Sequence, residues 1–83
     1  MYPSRLQIRS ALCQIFNSRR TVTVQEIYSR IKDEFSMTAE EVARKDSQGA
    51  CLIEHEIRWE MQTLQKEGRI TGTGRKGEWR LTL

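Results

Sequence analysis

Residues 52–83 read LIEHEIRWEMQTLQKEGRITGTGRKGEWRLTL, and the apolar period changes partway along this stretch. Up to Gly68, the residues Ile53, Ile57, Met61 and Leu64 recur at three- and four-residue steps, which places them on one face of a helix of about four turns. Gly68 follows Lys66-Glu67 and stands where a left-handed residue would close that helix. Beyond it the period is two: Ile70, then Trp79, Leu81 and Leu83, alternating with Glu78, Arg80 and Thr82. The intervening Gly72-Thr73-Gly74-Arg75-Lys76-Gly77 predicts a β-hairpin with a glycine-rich tip.

Upstream, three helix starts share one device, a Ser or Thr followed three residues later by Glu or Gln. That spacing satisfies two otherwise unpaired backbone donors. The pairs are Ser4 with Gln7, Thr23 with Glu26, and Thr38 with Glu41. Val22 with Ile27, and Met37 with Val42, add an apolar residue before the cap and another at the fourth helical position. A first helix is expected over about 6–16, burying Ile8, Leu12, Ile15 and Phe16. A second carries Val24, Ile27, Tyr28, Ile31 and Phe35 on its inner face. A short third helix, about 39–44, gives way to the polar loop Lys45-Asp46-Ser47-Gln48-Gly49. Arg20-Thr21-Val22 can add a short strand beside the hairpin. This order predicts an α+β winged helix-turn-helix: three to four helices plus a C-terminal hairpin wing, in one domain over residues 1–83.

With 83 residues, 37% hydrophobic and 30% charged, the chain can build one small core and no second nucleotide-binding domain. No apolar run approaches a membrane span and no signal region follows Met1, so a cytoplasmic protein without membrane partners is expected. Cys13 and Cys51 have no metal-ligand spacing and His55 is the only histidine, so neither a zinc site nor a disulfide framework is expected. The two thiols read as small apolar fillers in a reducing compartment. With no acid/base constellation, no catalytic residue, metal or cofactor is predicted, and the chain alone is not expected to be an enzyme. Gly72, Gly74 and Gly77 spell GxGxxG, but the helix that must follow a dinucleotide fingerprint is missing.

The net charge of +3 conceals a segregation along the chain. Residues 1–20 hold Arg5, Arg9, Arg19 and Arg20 with no acid; residues 68–83 hold Arg69, Arg75, Lys76 and Arg80 against Glu78 alone. The helix between them carries Glu54, Glu56, Glu60 and Glu67 against Arg58 and Lys66. Opposite its apolar stripe project His55, Arg58, Gln62, Gln65 and Lys66. Arg and Gln pair two-pronged with guanine and adenine in a major groove, whereas an ordinary solvated helix face has a similar composition. Glu54, Glu56 and Glu60 can fit a DNA-facing helix only by pointing sideways to pair with bases such as Arg58 or by accepting from cytosine amino groups. At the hairpin tip, glycines free the backbone to approach a phosphate and Arg75 and Lys76 supply charge. Trp79 is expected in the core. Trp59 lies off the stripe, so it either packs against the loop at 45–50, as tryptophans more often do, or stands exposed beside the outward row.

The chain resembles the N-terminal winged-helix domain of Mrr-type restriction endonucleases. The likeness covers about Arg9 to Thr82 and rests on Glu26-Ile27, Ile31, Phe35, Met37-Thr38-Ala39-Glu40-Glu41, Gly49, Ile57-Arg58-Trp59, Leu64, Gly68 and the closing Gly74-Arg75-Lys76-Gly77-Glu78-Trp79-Arg80-Leu81-Thr82. The resemblance implies a double-stranded DNA-recognition module of a restriction system that works with a nuclease domain or subunit. No catalytic residue carries over, and Arg58, Gln62, Arg75, Lys76 and Arg80 map onto DNA-facing positions. The DNA-binding set expected from residues and resemblance together is His55, Arg58, Gln62, Gln65, Lys66, Arg69, Arg75, Lys76 and Arg80. The competing reading is a protein-interaction winged helix, in which the acidic fourth helix faces a basic partner or another copy of itself.

Overall fold

The computed structural model describes residues 1–18 and 21–82. The chain runs α1 (Arg5–Ser18), β1 (Val22–Thr23), α2 (Val24–Glu34), α3 (Ala39–Val42), α4 (Leu52–Lys66), β2 (Ile70–Gly72) and β3 (Glu78–Leu81). It is an α+β fold in which the helices pack on a three-stranded antiparallel sheet of order β1-β3-β2, a winged-helix-like arrangement.

Local chemistry sets the helix starts. All three Ser/Thr-to-Glu/Gln pairs form reciprocal caps: Ser4 with Gln7, Thr23 with Glu26 and Thr38 with Glu41 each exchange side-chain and backbone hydrogen bonds. α1 extends slightly beyond the expected 6–16, and α3 is shorter than expected, closing by Val42. α4 begins without a side-chain cap at Cys51. The preceding loop positions it instead: Asp46 accepts from the backbone N–H groups of Gln48 and Ala50, and the Leu52 N–H donates to the Arg44 carbonyl at 2.9 Å. At the other end, Gly68 holds φ 78°, its N–H donates to the Gln65 carbonyl and the Arg69 N–H donates to that of Leu64. This left-handed closure turns the chain out of α4 and into the wing.

α1, α2 and α4 meet on one core. Ile8, Leu12, Ile15 and Phe16 of α1, Ile27, Tyr28 and Ile31 of α2, and Ile53, Ile57, Met61 and Leu64 of α4 are buried with Val22 and Ile70. These are the apolar faces the periodicity picks out, and each fully buried Ile or Leu contributes about 2–3 kcal/mol through surface withheld from water. Val24, Phe35, Cys13, Cys51, Trp79 and Leu81 are half-buried against the core, so Trp79 flanks it rather than filling it.

The hairpin register pairs Ile70 with Leu81, Thr71 with Arg80 and Gly72 with Trp79. On its other side β3 pairs with β1, Val22 opposite Trp79 and Thr23 opposite Glu78. The strand expected at Arg20-Thr21-Val22 is found at Val22–Thr23, where Thr23 ends the strand and caps α2 at once. Arg19, Arg20 and Leu83 lie outside the described residues. No described helix is long and apolar enough to cross a membrane.

Candidate nucleic-acid interface

α4 presents two kinds of surface, and its 3.6-residue period separates them. His55, Arg58, Gln62, Gln65 and Lys66 are exposed; His55, Arg58 and Gln62 follow one another at three- and four-residue steps, Gln65 and Lys66 lie three and four residues beyond Gln62, and together they form a continuous row opposite Ile53, Ile57, Met61 and Leu64. Arg58 and Gln62 line a cleft with Met61 and Trp79, which sets this edge of α4 beside the wing strand β3. Burial raises the Tyr28 hydroxyl above its ordinary range, and the Arg58 charge opposes that rise, so Arg58 also borders α2. His55 Nδ1 stands 3.6 Å from Asp46 Oδ2. Two backbone hydrogen bonds, from Ala50 and Gln48, hold the Asp46 carboxyl below its usual value.

The glutamates of α4 are turned to its flanks. Glu54 Oε2 lies 3.2 Å from Lys32 Nζ of α2. Glu60 is buried, with 9% of its surface exposed, and its Oε1 lies 3.9 Å from Arg5 Nη1. Glu67, just past α4, accepts from Arg9 and lies 3.3 Å from Arg69 Nε. Glu56 is half-buried near the Tyr2 ring. The expectation that Glu54 and Glu60 would pair with bases such as Arg58 is corrected in one respect: the cations they meet are Lys32 of α2 and Arg5 of α1. Helices packed on one core bring together opposite charges that lie 22 to 58 positions apart along the sequence.

The same pairing removes Arg9 from the freely available positive charge at the amino-terminal end, while Arg5, 3.9 Å from Glu60, is held only loosely. Arg69, expected in the DNA-binding set, stands apart from the outward row. It is tied to Glu67 and lines a groove with Cys13, Asn17, Leu81 and Thr82, on the side where α1 meets the wing. Arg80, opposite Thr71 in the β2–β3 pair, is exposed on the sheet face away from half-buried Trp79 and Leu81.

The wing tip is a tight turn. The Thr73 N–H donates to the Glu78 carbonyl, the Thr73 hydroxyl donates to the Glu78 carboxylate at 2.6 Å, and the Glu78 N–H donates to the Arg75 carbonyl. Gly77, third in that last turn, holds φ 76°, a left-handed value that glycine adopts without steric cost. The Val24 N–H donates to the Gly77 carbonyl at 2.8 Å and fastens the turn to the start of α2. Arg75 and Lys76 project from the tip, exposed, and among the described residues neither forms an ion pair. The Thr73–Glu78 bond occupies the acid nearest to them.

The expectation that favoured a packed Trp59 is overturned, because the side chain is 53% exposed. The Arg5 guanidinium lies 5.7 Å from its ring centroid. Packing against the loop at 45–50 fails because Trp59 faces the α1 side of α4, where Arg5 covers one part of the ring. Its position off the apolar stripe was the available sequence signal; the Arg5 contact joins separate helices and has no local signal.

A helical core, a hairpin wing and a long helix with a polar row clear of its own carboxylates define the chain as a winged-helix-like module. The chain belongs to the Mrr N-terminal domain family, whose model matches residues 7–83. No curated protein and no solved structure gives a significant match.

Proposed function

We propose that this chain is the double-stranded DNA-binding module of an Mrr-type restriction system, acting with a nuclease domain or subunit and performing no chemistry itself. α4 enters the major groove with His55, Arg58, Gln62 and Gln65 towards the base edges, while Lys66 and, on the wing, Arg75 and Lys76 hold phosphates. One observation carries this reading: Glu54, Glu60 and Glu67 are engaged by cations of other elements, which leaves the outward row of α4 clear of its own acids. Family membership supports it. The protein-docking alternative drew on the acidity of α4, and those side chains face α1 and α2.

Titration of a fluorescent duplex at several salt concentrations tests the assignment. Each phosphate contact contributes about 0.9 to the slope of log affinity against log salt, so the double substitution R75A/K76A is expected to lower the slope by about 2 and weaken binding. An unchanged slope and affinity in the folded double variant would remove the wing from the interface.

A further inference from the structure

Trp59 is one of three large apolar side chains more than half exposed among the described residues, with Met1 and Leu6. A tryptophan on a folded surface withholds little apolar area from water, and such a residue rimmed by polar groups marks a contact site. On α4 it follows His55 by four residues and precedes Gln62 by three, so it borders the outward row on the edge opposite the Arg58–Trp79 cleft. Arg5 reaches this edge from α1. Its side chain is 47% exposed, its guanidinium lies 5.7 Å from the indole centroid, and Glu60, at 3.9 Å, holds it only loosely.

Groove dimensions give these facts a consequence. A helix with its side chains is roughly 10–12 Å across and the major groove of B-DNA is about 12 Å wide, so a helix lying in the groove brings both edges against a sugar-phosphate strand. One edge of α4 is backed by the wing. The other carries Trp59 and Arg5.

We propose that Trp59 and Arg5 form a second backbone grip, in which the indole packs on a deoxyribose and the guanidinium meets the adjacent phosphate, on the groove wall opposite the wing. The inference rests on the DNA-binding reading above and adds the partner of this edge. Charge complementarity selects the occupant: the neighbouring exposed side chains His55, Gln62 and Lys66 include no acid, Glu60 next to Trp59 is buried, Glu56 is half-buried towards Tyr2, and Asp46 beside His55 is taken up by the Gln48 and Ala50 backbones. The grip is blind to sequence because sugars and phosphates recur at every step.

The test uses the full chain. Trp79→Phe leaves Trp59 as the single tryptophan, and acrylamide quenching of its emission is measured with and without a mixed-sequence duplex. The duplex is expected to cut quenching about twofold. Trp59→Ala is expected to weaken binding about fivefold with circular dichroism unchanged, and Trp59→Phe to recover most of that loss. Arg5→Ala is expected to lower the salt slope by about 1, and Arg5→Lys to keep the slope.

Duplex binding by wild type, with Trp59 still fully quenched and W59A within twofold in affinity, would overturn the second grip and leave the wing assignment standing. No duplex binding by the folded wild type at low salt would overturn both. Shielding of Trp59 that grows with protein concentration in the absence of DNA, with doubled mass in sedimentation, would assign this edge to a second copy and overturn the proposal.

Discussion

Arg9 of α1 donates a hydrogen bond to the carboxylate of Glu67, the residue just before the wing begins. Arg69 approaches the same carboxylate oxygen at 3.3 Å, so one acid serves a cation from each end of the chain. The segregation of charge along the sequence therefore differs from its distribution in space. The ends are basic and the long helix acidic, yet packing α1 against α4 cancels much of both. Among the described residues, Arg58 and Lys66 of the outward row and Arg75 and Lys76 of the wing tip form no ion pair.

That pairing has a pH dependence whose sign follows from the shifts. Glu67 is held below its ordinary 4.5 by the Arg9 hydrogen bond, Glu41 below the same value by the Thr38 backbone, and Asp46 below 3.8 by the Ala50 and Gln48 backbones. A carboxyl whose folded value is depressed contributes stability that is complete above its ordinary value and lost as pH falls through the folded one. Thermal unfolding should show a Tm steady from neutral down to about pH 5 and falling below that. Asp46→Asn should lower the Tm at neutral pH and lie closer to wild type in acid. A gap between the two that stays constant across the range would contradict the assignment.

Ser36 is the residue most at odds with its backbone. It holds φ 46° after the Phe35 cap of α2, and its N–H and that of Met37 close the helix on Asp33 and Lys32. Glycine is the usual occupant of this left-handed position, as Gly68 is at the end of α4. Replacing Ser36 by Gly relieves the steric cost and adds chain entropy to the unfolded state, two effects of opposite sign in which the first prevails. Ser36→Gly should raise stability by about 0.5–1 kcal/mol in urea denaturation, and a loss of stability would show the turn to be strain-free.

The end of α2 also shows where sequence reading reaches and where it stops. Caps, apolar faces and the glycine closing α4 were legible because each is local: a box spans three residues, a helical face repeats within a turn, and Gly68 directly follows its helix. Ser36 carries no such mark, since serine adopts left-handed backbone rarely and only the geometry reveals it. Trp59 was misjudged and the partners of Glu54, Glu60 and Glu67 were missed for one reason. Lys32, Arg5 and Arg9 stand 22, 55 and 58 positions from those acids, and no periodicity links α1 or α2 to α4 before the core brings them together. The outward row was legible as a face, and its separation from the acids was not.

Glu60 is the one buried charged residue among those described, and its nearest cation, at 3.9 Å, is too distant for a good hydrogen bond. Removing a carboxylate from water costs several kcal/mol that a long, partly solvated pair does not recover. Glu60→Met keeps the length of the side chain, adds apolar burial beside Ile57 and Leu64, and leaves Arg5 half in solvent. The variant should equal wild type or exceed it by about 1 kcal/mol in urea denaturation. A loss of more than about 1 kcal/mol would mean that the Glu60 carboxylate is satisfied better than its distance from Arg5 indicates.

The outward row and the wing should respond differently to substitution, because bases differ along a duplex and phosphates do not. Arg58 and Gln62 share the cleft beside Trp79, which limits where their ends can go and suits them to two-pronged contacts with single bases. Lys66, one turn beyond Gln62 and exposed, is a flexible point charge suited to a phosphate. Arg58→Ala should therefore cost about 1–3 kcal/mol on a preferred site selected from a random duplex pool and much less on other sequences, with the preference relaxed at one or two positions. Lys66→Ala should weaken all duplexes alike and lower the salt slope by about 1. Equal losses on preferred and random duplexes for Arg58→Ala would mean that α4 contacts the backbone alone and that sequence, if read, is read through DNA shape.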